Sequence, residues 1–350
     1  MFNEVTRIGK KKIGKDQKIY IIGDVGLTNN GSLKDALKLI NILSNLGVDA
    51  VKFQMIGPEI LLGDKKISYT YPTLKSGKKT ENMFSMFSNL SFSKSEWKKI
   101  SNFCKKKKIE FICTSHFSDA VDLLEKLNIK VHKICTWSQT HRRMIEKIGR
   151  TRKPLIIDTG AYTIKDFNDM VKWYKSNGGK NLIVLHDFHT KNEKFMNFKS
   201  IPYIKKKYKC VVGYTPQGRD DTMDLVAIGL GAQVLEKRIT LKRSTPRNGH
   251  FKALEIEEFK IWLNKVKKAE LALGKEQIIP TPDDIRDSKK YFKSLYVNRD
   301  IKKGEVLREY MISERRPGTG ISASQIYQVI GKKAKINISD GKMIKLKDII

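Results

Sequence analysis

Short runs of aliphatic and β-branched residues recur along the chain, separated by stretches in which apolar residues return every three or four positions. The runs are KIYIIGD (18–24), DAVKFQ (49–54), EFICTS (110–115), KVHKICT (130–136), PLIIDTG (154–160), NLIVLHD (181–187), CVVGYT (210–215) and QVLEKRIT (233–240). Their length and β-branched content predict strands. Most are followed by a helix-period segment, as at 33–46, at 119–127 and around Leu225, and a last helix is expected over 255–273. Eight strands alternating with helices predict an α/β fold, a closed (β/α)8 TIM barrel, with an open doubly wound sheet as the alternative that counting leaves standing. A barrel puts its active site where strands end and loops begin.

Two regions break the alternation. Residues 57–93, including SYTYPTLKSG, are too long for an ordinary connection and read either as a loop covering the barrel mouth or as surface padding. After Gly274 the sequence IIPTPDD opens a polar linker, and the chain is divided into a barrel domain over 1–280 and a small domain over 281–350, its compact module beginning near Ser288. Within that module Asp300–Ile312 resembles Asn337–Ile349, with Ile301 and Ile338, Gly304 and Gly341, and Ile312 and Ile349 in register. Such a repeat predicts two related halves of a β module. Between them lies ERRPGTGIS (314–322), where Pro317 fixes one φ and Gly318 and Gly320 are free to adopt unusual angles. The loop should turn sharply and present Arg315 or Arg316 outward.

Composition narrows the class. With 350 residues and 40% hydrophobic content the chain can bury a full core. It has no stretch of roughly 18 apolar residues and no leader-like start, which predicts a cytoplasmic protein without membrane attachment. Cys104, Cys113, Cys135 and Cys210 are widely spaced without a CxxC pattern and read as reduced core cysteines. The formal charge of +32 raises nucleic acid as a partner. The lysines of 105–108 and 205–207 instead fall where helices end, a placement the helix dipole favours, and no basic stripe is interleaved with aromatics, so nucleic acid is not expected.

The motifs GDVGLTNNGS, DAVKFQ, KICTWS, DTG, VGYT, VLEKRITL and RRPGTGIS with GKK resemble, in order and over nearly the whole chain, the sialic acid (N-acylneuraminate) synthase family, which includes the legionaminate and pseudaminate synthases. That resemblance implies a TIM barrel joined to an antifreeze-like SAF domain of β-clip type. It also implies condensation of phosphoenolpyruvate with an N-acetylmannosamine-like aldose to a nine-carbon keto acid, in surface polysaccharide biosynthesis. On it, Lys52 and Lys133 are cationic ligands of phosphoenolpyruvate and Gln54 is a sugar contact. Thr114, Thr136 and Thr215 supply strand-end hydroxyls, and Ser138 stands at a sugar-binding position where the family has an acidic residue. Asp24 ends the first strand as a catalytic carboxylate where the family has glutamate. Arg316 is implied to lie over the barrel of a second subunit and meet the sugar's N-acyl group, which predicts a domain-swapped homodimer.

The resemblance also implies a divalent cation, such as Mn or Mg, held by two histidines. Those positions are Gln217 and Arg238 here. An amide is a poor ligand, and a guanidinium offers no lone pair. Asn29, Asp158 and Gly249 depart as well, standing where the family has histidine, serine and aspartate, and an aspartate at 158 is expected to repel phosphate. Three readings follow: a metal-independent synthase in which Arg238 supplies the fixed positive charge, a silent or repurposed paralogue that binds a sugar or partner, and a metal site relocated to His116, Asp158, His186 and His189.

Overall fold

The computed structural model describes residues 1–190 and 192–350, which form two compact units, Met1–Gly274 and Lys275–Ile350. In the first, eight parallel strands close a barrel: Tyr20–Gly26, Ala50–Met55, Glu110–Ser115, His132–Ile134, Leu155–Thr159, Leu182–His186, Val211–Tyr214 and Val234–Arg238. Each pairs with its neighbours in chain order, and the eighth closes on the first with Glu236 opposite Ile22 and Arg238 opposite Asp24. All eight expected strands are present, and the closed barrel excludes the doubly wound alternative.

Period-two alternation sorts the side chains. Tyr20, Ile22, Ala50, Ile112, Ile156, Ile183, Val211 and Val234 fill the lower barrel as one apolar cluster. Residues between them point outward to the helices: Lys237 reaches Asp224 at 2.6 Å and lies over the Trp262 ring at 5.7 Å. Glu236 and Arg238, one step either side of Lys237, therefore face inward.

Lys94–Lys107 begins with a Ser93/Glu96 capping box and carries Lys105, Lys106 and Lys107 in its last turn, while Lys205, Lys206 and Lys207 end Ser200–Tyr208 in the same way. The lysine clusters are helix ends. Two features were not legible from the hydrophobic pattern. A hairpin, Val5–Ile8 with Lys11–Gly14, inserts Ile8 and Ile13 into the lower barrel cluster, its alternation hidden by the neighbouring lysines. A second hairpin, Ser68–Thr73 with Gly77–Asn82, occupies the long 57–93 segment, and Tyr71 buries itself with Ile56, Met86 and Leu90.

The second unit opens with a helix, Pro282–Tyr291, where a polar linker was expected. Thr281 and Asp284 form a capping box and Pro282 sits in the first turn, where its missing N–H costs nothing. The repeat is real in three dimensions: Ile301 and Ile338 exchange backbone hydrogen bonds at 2.8 and 2.9 Å, Gly304 and Gly341 both turn with positive φ (85° and 73°), and the short helical turns Glu309–Met311 and Leu346–Asp348 follow each. Gly318 and Gly320 are explained differently from the sequence expectation. Neither has a positive φ; a Cβ on Gly318 would fall 2.6 Å from the Phe292 Cβ, and one on Gly320 would fall 2.3 Å from the Met343 Sδ. Close packing, and not an unusual backbone angle, holds glycine at 318, where the Ser288 carbonyl also lies 2.9 Å away, whereas a side chain at 320 would have to displace Met343. No described helix is long and apolar enough to cross a membrane.

Candidate functional site

Above the aliphatic layers the inward positions turn ionic. Asp24, Lys52, Lys133, Asp158 and Glu236 are all buried. Lys52 Nζ lies 2.7 Å from Asp24 Oδ1 and 3.1 Å from Glu236 Oε1. Lys133 Nζ bonds Asp158 Oδ1 and lies 3.2 Å from Glu236 Oε2. Glu236 thus bridges the two ammonium groups, and Arg238 Nε donates to Asp24 Oδ2 at 3.1 Å.

Burial opposes the charges of Asp24, Lys52, Lys133 and Asp158, and their partners decide the outcome. It pushes Asp24 up, but Lys52 and Arg238 hold its carboxyl below the usual range. It pushes Lys52 and Lys133 down, but Asp24, Glu236 and Asp158 hold both ammonium groups above theirs. Asp158 goes the other way. Burial, aided by the Glu236 and Asp187 carboxylates, outweighs Lys133 and raises it to about 7. Asp187 rises to about 6, through burial first and Glu236 next, although Gln217 donates to it.

A cavity of about 950 Å³ opens onto this layer. Of the residues expected at the site, Lys52, Gln54, Thr114, Ser138, Thr215 and Arg238 line it. Lys133 and Asp24 stand directly behind the wall, bonded to its members Asp158 and Arg238. Asp24 was expected to act on substrate; its geometry suits it to fixing Lys52 and Arg238. Thr136 is buried and its Oγ1 donates to the Thr159 carbonyl at 3.5 Å, away from the lining. Arg316 belongs to the second unit, exposed, with Nε donating to the Tyr291 carbonyl at 2.9 Å and its guanidinium 5.3 Å from that ring's centre.

The cavity wall also includes Tyr69, Thr70, Tyr71 and Pro72, so the long 57–93 segment does contribute to the barrel mouth. The indole of Trp137, largely exposed, lies 4.9 Å from the His189 ring, centre to centre. Sequence reasoning missed Asp187 and Lys252 altogether, and it cited Glu236 only as part of a motif. Glu236 was findable, two residues before Arg238 on the same strand face; Asp187 follows the sixth strand, where barrel catalytic groups sit.

The residues present do not fit the divalent cation that the resemblance implies. Gln217 directs its Nε2 hydrogens at Asp187 Oδ1, with Lys252 Nζ 3.1 Å from its carbonyl oxygen, and Arg238 directs its Nε hydrogen at Asp24. Both positions offer donors to neighbouring carboxylates where a cation needs lone pairs. The relocated set does not assemble either. His186 lines a different cavity, its Nε2 2.8 Å from the Met196 carbonyl and its Nδ1 2.8 Å from Ser200 Oγ. His116 borders the main cavity with Nδ1 3.7 Å from Cys135 Sγ, and burial lowers it to about 4, leaving it neutral.

The NeuB family model matches residues 39–278 and the SAF domain model matches 292–350. N,N'-diacetyllegionaminic acid synthase of Campylobacter jejuni is 30% identical over 94% of this chain and 99% of its own. Pseudaminic acid synthase of the same organism is 26% identical over 95% of this chain and 97% of its own. The crystal structure of N-acetylneuraminic acid synthetase from Leptospira borgpetersenii superposes with a TM-score of 0.72 at 21% identity, covering 82% of this chain and 95% of that one.

Proposed function

The chain belongs to the NeuB family, and from that premise we propose that it condenses phosphoenolpyruvate with an N-acetylmannosamine-like aldose to a nine-carbon keto sugar acid, without a divalent cation. The observation that carries this reading is the pair of ammonium groups, Lys52 and Lys133, tied by Glu236 at the floor of a cavity that Arg238 enters from the eighth strand. In the reaction C3 of phosphoenolpyruvate bonds to the aldehyde carbon, water adds at C2, and phosphate leaves. Lys52 and Lys133 hold the anion. Arg238, oriented by Asp24, donates to the aldehyde oxygen as negative charge grows there. Gln54, Thr114, Ser138 and Thr215 supply neutral hydrogen-bonding groups along the cavity for the phosphate and the sugar hydroxyls.

Arg316, exposed and braced on Tyr291, is suited to reach a second copy, and a domain-swapped homodimer in which it covers the partner's barrel is part of the same proposal. One observation favours the silent-binder reading: Asp158 occupies Lys133, the seat an anionic substrate needs. The purified protein should release phosphate from phosphoenolpyruvate only when an aldose is added, across a panel of N-acetylated mannosamine and related amino-sugar aldoses. Product mass should equal aldose plus pyruvate. No phosphate release with any aldose would select the silent binder.

A further inference from the structure

The layer at the cavity floor contains four buried carboxylates, Asp24, Asp158, Asp187 and Glu236, against two buried ammonium groups, Lys52 and Lys133, with the half-buried Arg238 and Lys252 at its edge. An anionic substrate entering this layer adds to its negative side. Counter-charge has to come from somewhere, because a buried charge without compensation is not tolerated. Asp158 is the member placed to yield. It lines the cavity, its Oδ1 holds Lys133, and it stands where the family resemblance gives phosphate a hydroxyl donor.

Resting on the synthase reading, we propose that Asp158 is a proton-loaded gate on the substrate's anion seat: phosphoenolpyruvate binds to the form in which Asp158 is a neutral acid, and binding brings one proton in from solvent. Loaded, the carboxyl group releases Lys133 to the substrate and offers one O–H donor to a phosphate or carboxylate oxygen, the part a serine would otherwise play. Unloaded, the same group holds Lys133 and repels the anion. The gate is thereby a specificity device that admits an anion only together with a proton.

The groups that face Asp158 agree on the direction. Lys133 from the fourth strand favours the ionised form, while Glu236 from the eighth and Asp187 after the sixth favour the proton. His189, itself lowered chiefly by burial, and Cys135, raised by burial, are neutral neighbours, and Tyr162 and Gln139 bond only the Asp158 backbone carbonyl. With burial raising Asp158 to about 7, the loaded fraction of free protein is high below that pH and falls toward tenfold per unit above it. Affinity for phosphoenolpyruvate should fall with rising pH in the same way.

The test is calorimetric titration of the full-length protein with phosphoenolpyruvate at pH 8, in buffers of different ionisation enthalpy, where the ligand's phosphate is fully ionised. The expected result is uptake of about one proton per ligand and a Kd that rises roughly tenfold from pH 8 to pH 9. Asp158→Asn keeps the donor and the shape but cannot titrate; it should bind with no proton uptake, a flat pH profile and at least tenfold tighter than wild type at pH 9. Asp158→Ser should behave alike. The wild-type proton count stands alone if neither variant folds. Binding with no proton uptake overturns the gate and leaves the synthase reading intact. Uptake that persists in Asp158→Asn and Asp158→Ser overturns it too, assigning the proton to another group. No binding from pH 6 to pH 9 overturns both.

Discussion

Replacing Lys133 by methionine is expected to lower kcat/KM for phosphoenolpyruvate about a thousandfold, mostly through KM. Two effects add. The anion loses a charge-assisted hydrogen bond worth about 1.5–3 kcal/mol. Asp158 and Glu236, both held by the Lys133 ammonium, then confront the substrate and each other without it. Breaking a buried pair by removing one partner costs about 3–5 kcal/mol, so the variant should also unfold at lower denaturant concentration. Lys133→Met combined with Asp158→Asn separates the effects, because it should recover stability without recovering affinity. Steady-state kinetics alongside urea unfolding of the single and double variants make the check. A single variant that retains a wild-type KM would remove Lys133 from the anion site.

The second large effect is expected at Arg238. Arg238→Ala should reduce kcat by about a hundred- to a thousandfold with a smaller change in KM, the signature of a donor that matters most in the transition state. Asp24 keeps Lys52 at 2.7 Å, so the floor of the cavity should persist and phosphoenolpyruvate should still bind. Arg238→Lys is expected to recover little, since an ammonium lacks the planar fork that lets one guanidinium bond Asp24 and a carbonyl oxygen together. A kcat for Arg238→Ala within threefold of wild type would remove Arg238 from the chemistry. Presteady-state phosphate release is the direct readout.

How much of this was visible in the sequence varies with the kind of interaction. Strands such as NLIVLHD and QVLEKRIT show themselves because a parallel sheet buried on both faces leaves long apolar runs. The eighth strand's place did not settle which of its residues face inward, since a one-residue shift would exchange them; the observed Lys237–Asp224 pair on the helix side fixes Arg238 inward. Pairing across strands was harder. Asp158 beside Lys133 depends on how the fourth and fifth strands align, and nothing local encodes that its carboxylate meets an ammonium and not a phosphate. Asp24 illustrates the same gap, since its position at a strand end suggested contact with substrate while its partners are Lys52 and Arg238.

Other misses have local causes. The 5–14 hairpin hides Ile8 and Ile13 among lysines, so its apolar face is two residues wide. The helix at Pro282–Tyr291 announces itself only through the Thr281/Asp284 spacing, which a proline-rich linker reading passes over. Gly318 looks like a flexible turn residue, yet Phe292 and the Ser288 carbonyl, distant in sequence, are what exclude a side chain there. Thr136 shares a strand-end position with true cavity residues, but the chain turns into a short helical segment at Thr136–Ser138, and its hydroxyl goes to Thr159.

The central claim is that two buried ammonium groups and a guanidinium together perform what a histidine-held cation would otherwise assist. Aldose-dependent phosphate release should be measured on protein stripped with EDTA, then again after adding back excess manganese or magnesium. The account predicts equal rates in the three samples, with release at subsaturating phosphoenolpyruvate lowered about a thousandfold in Lys133→Met throughout. Activity that vanishes in EDTA and returns with the added cation would contradict it.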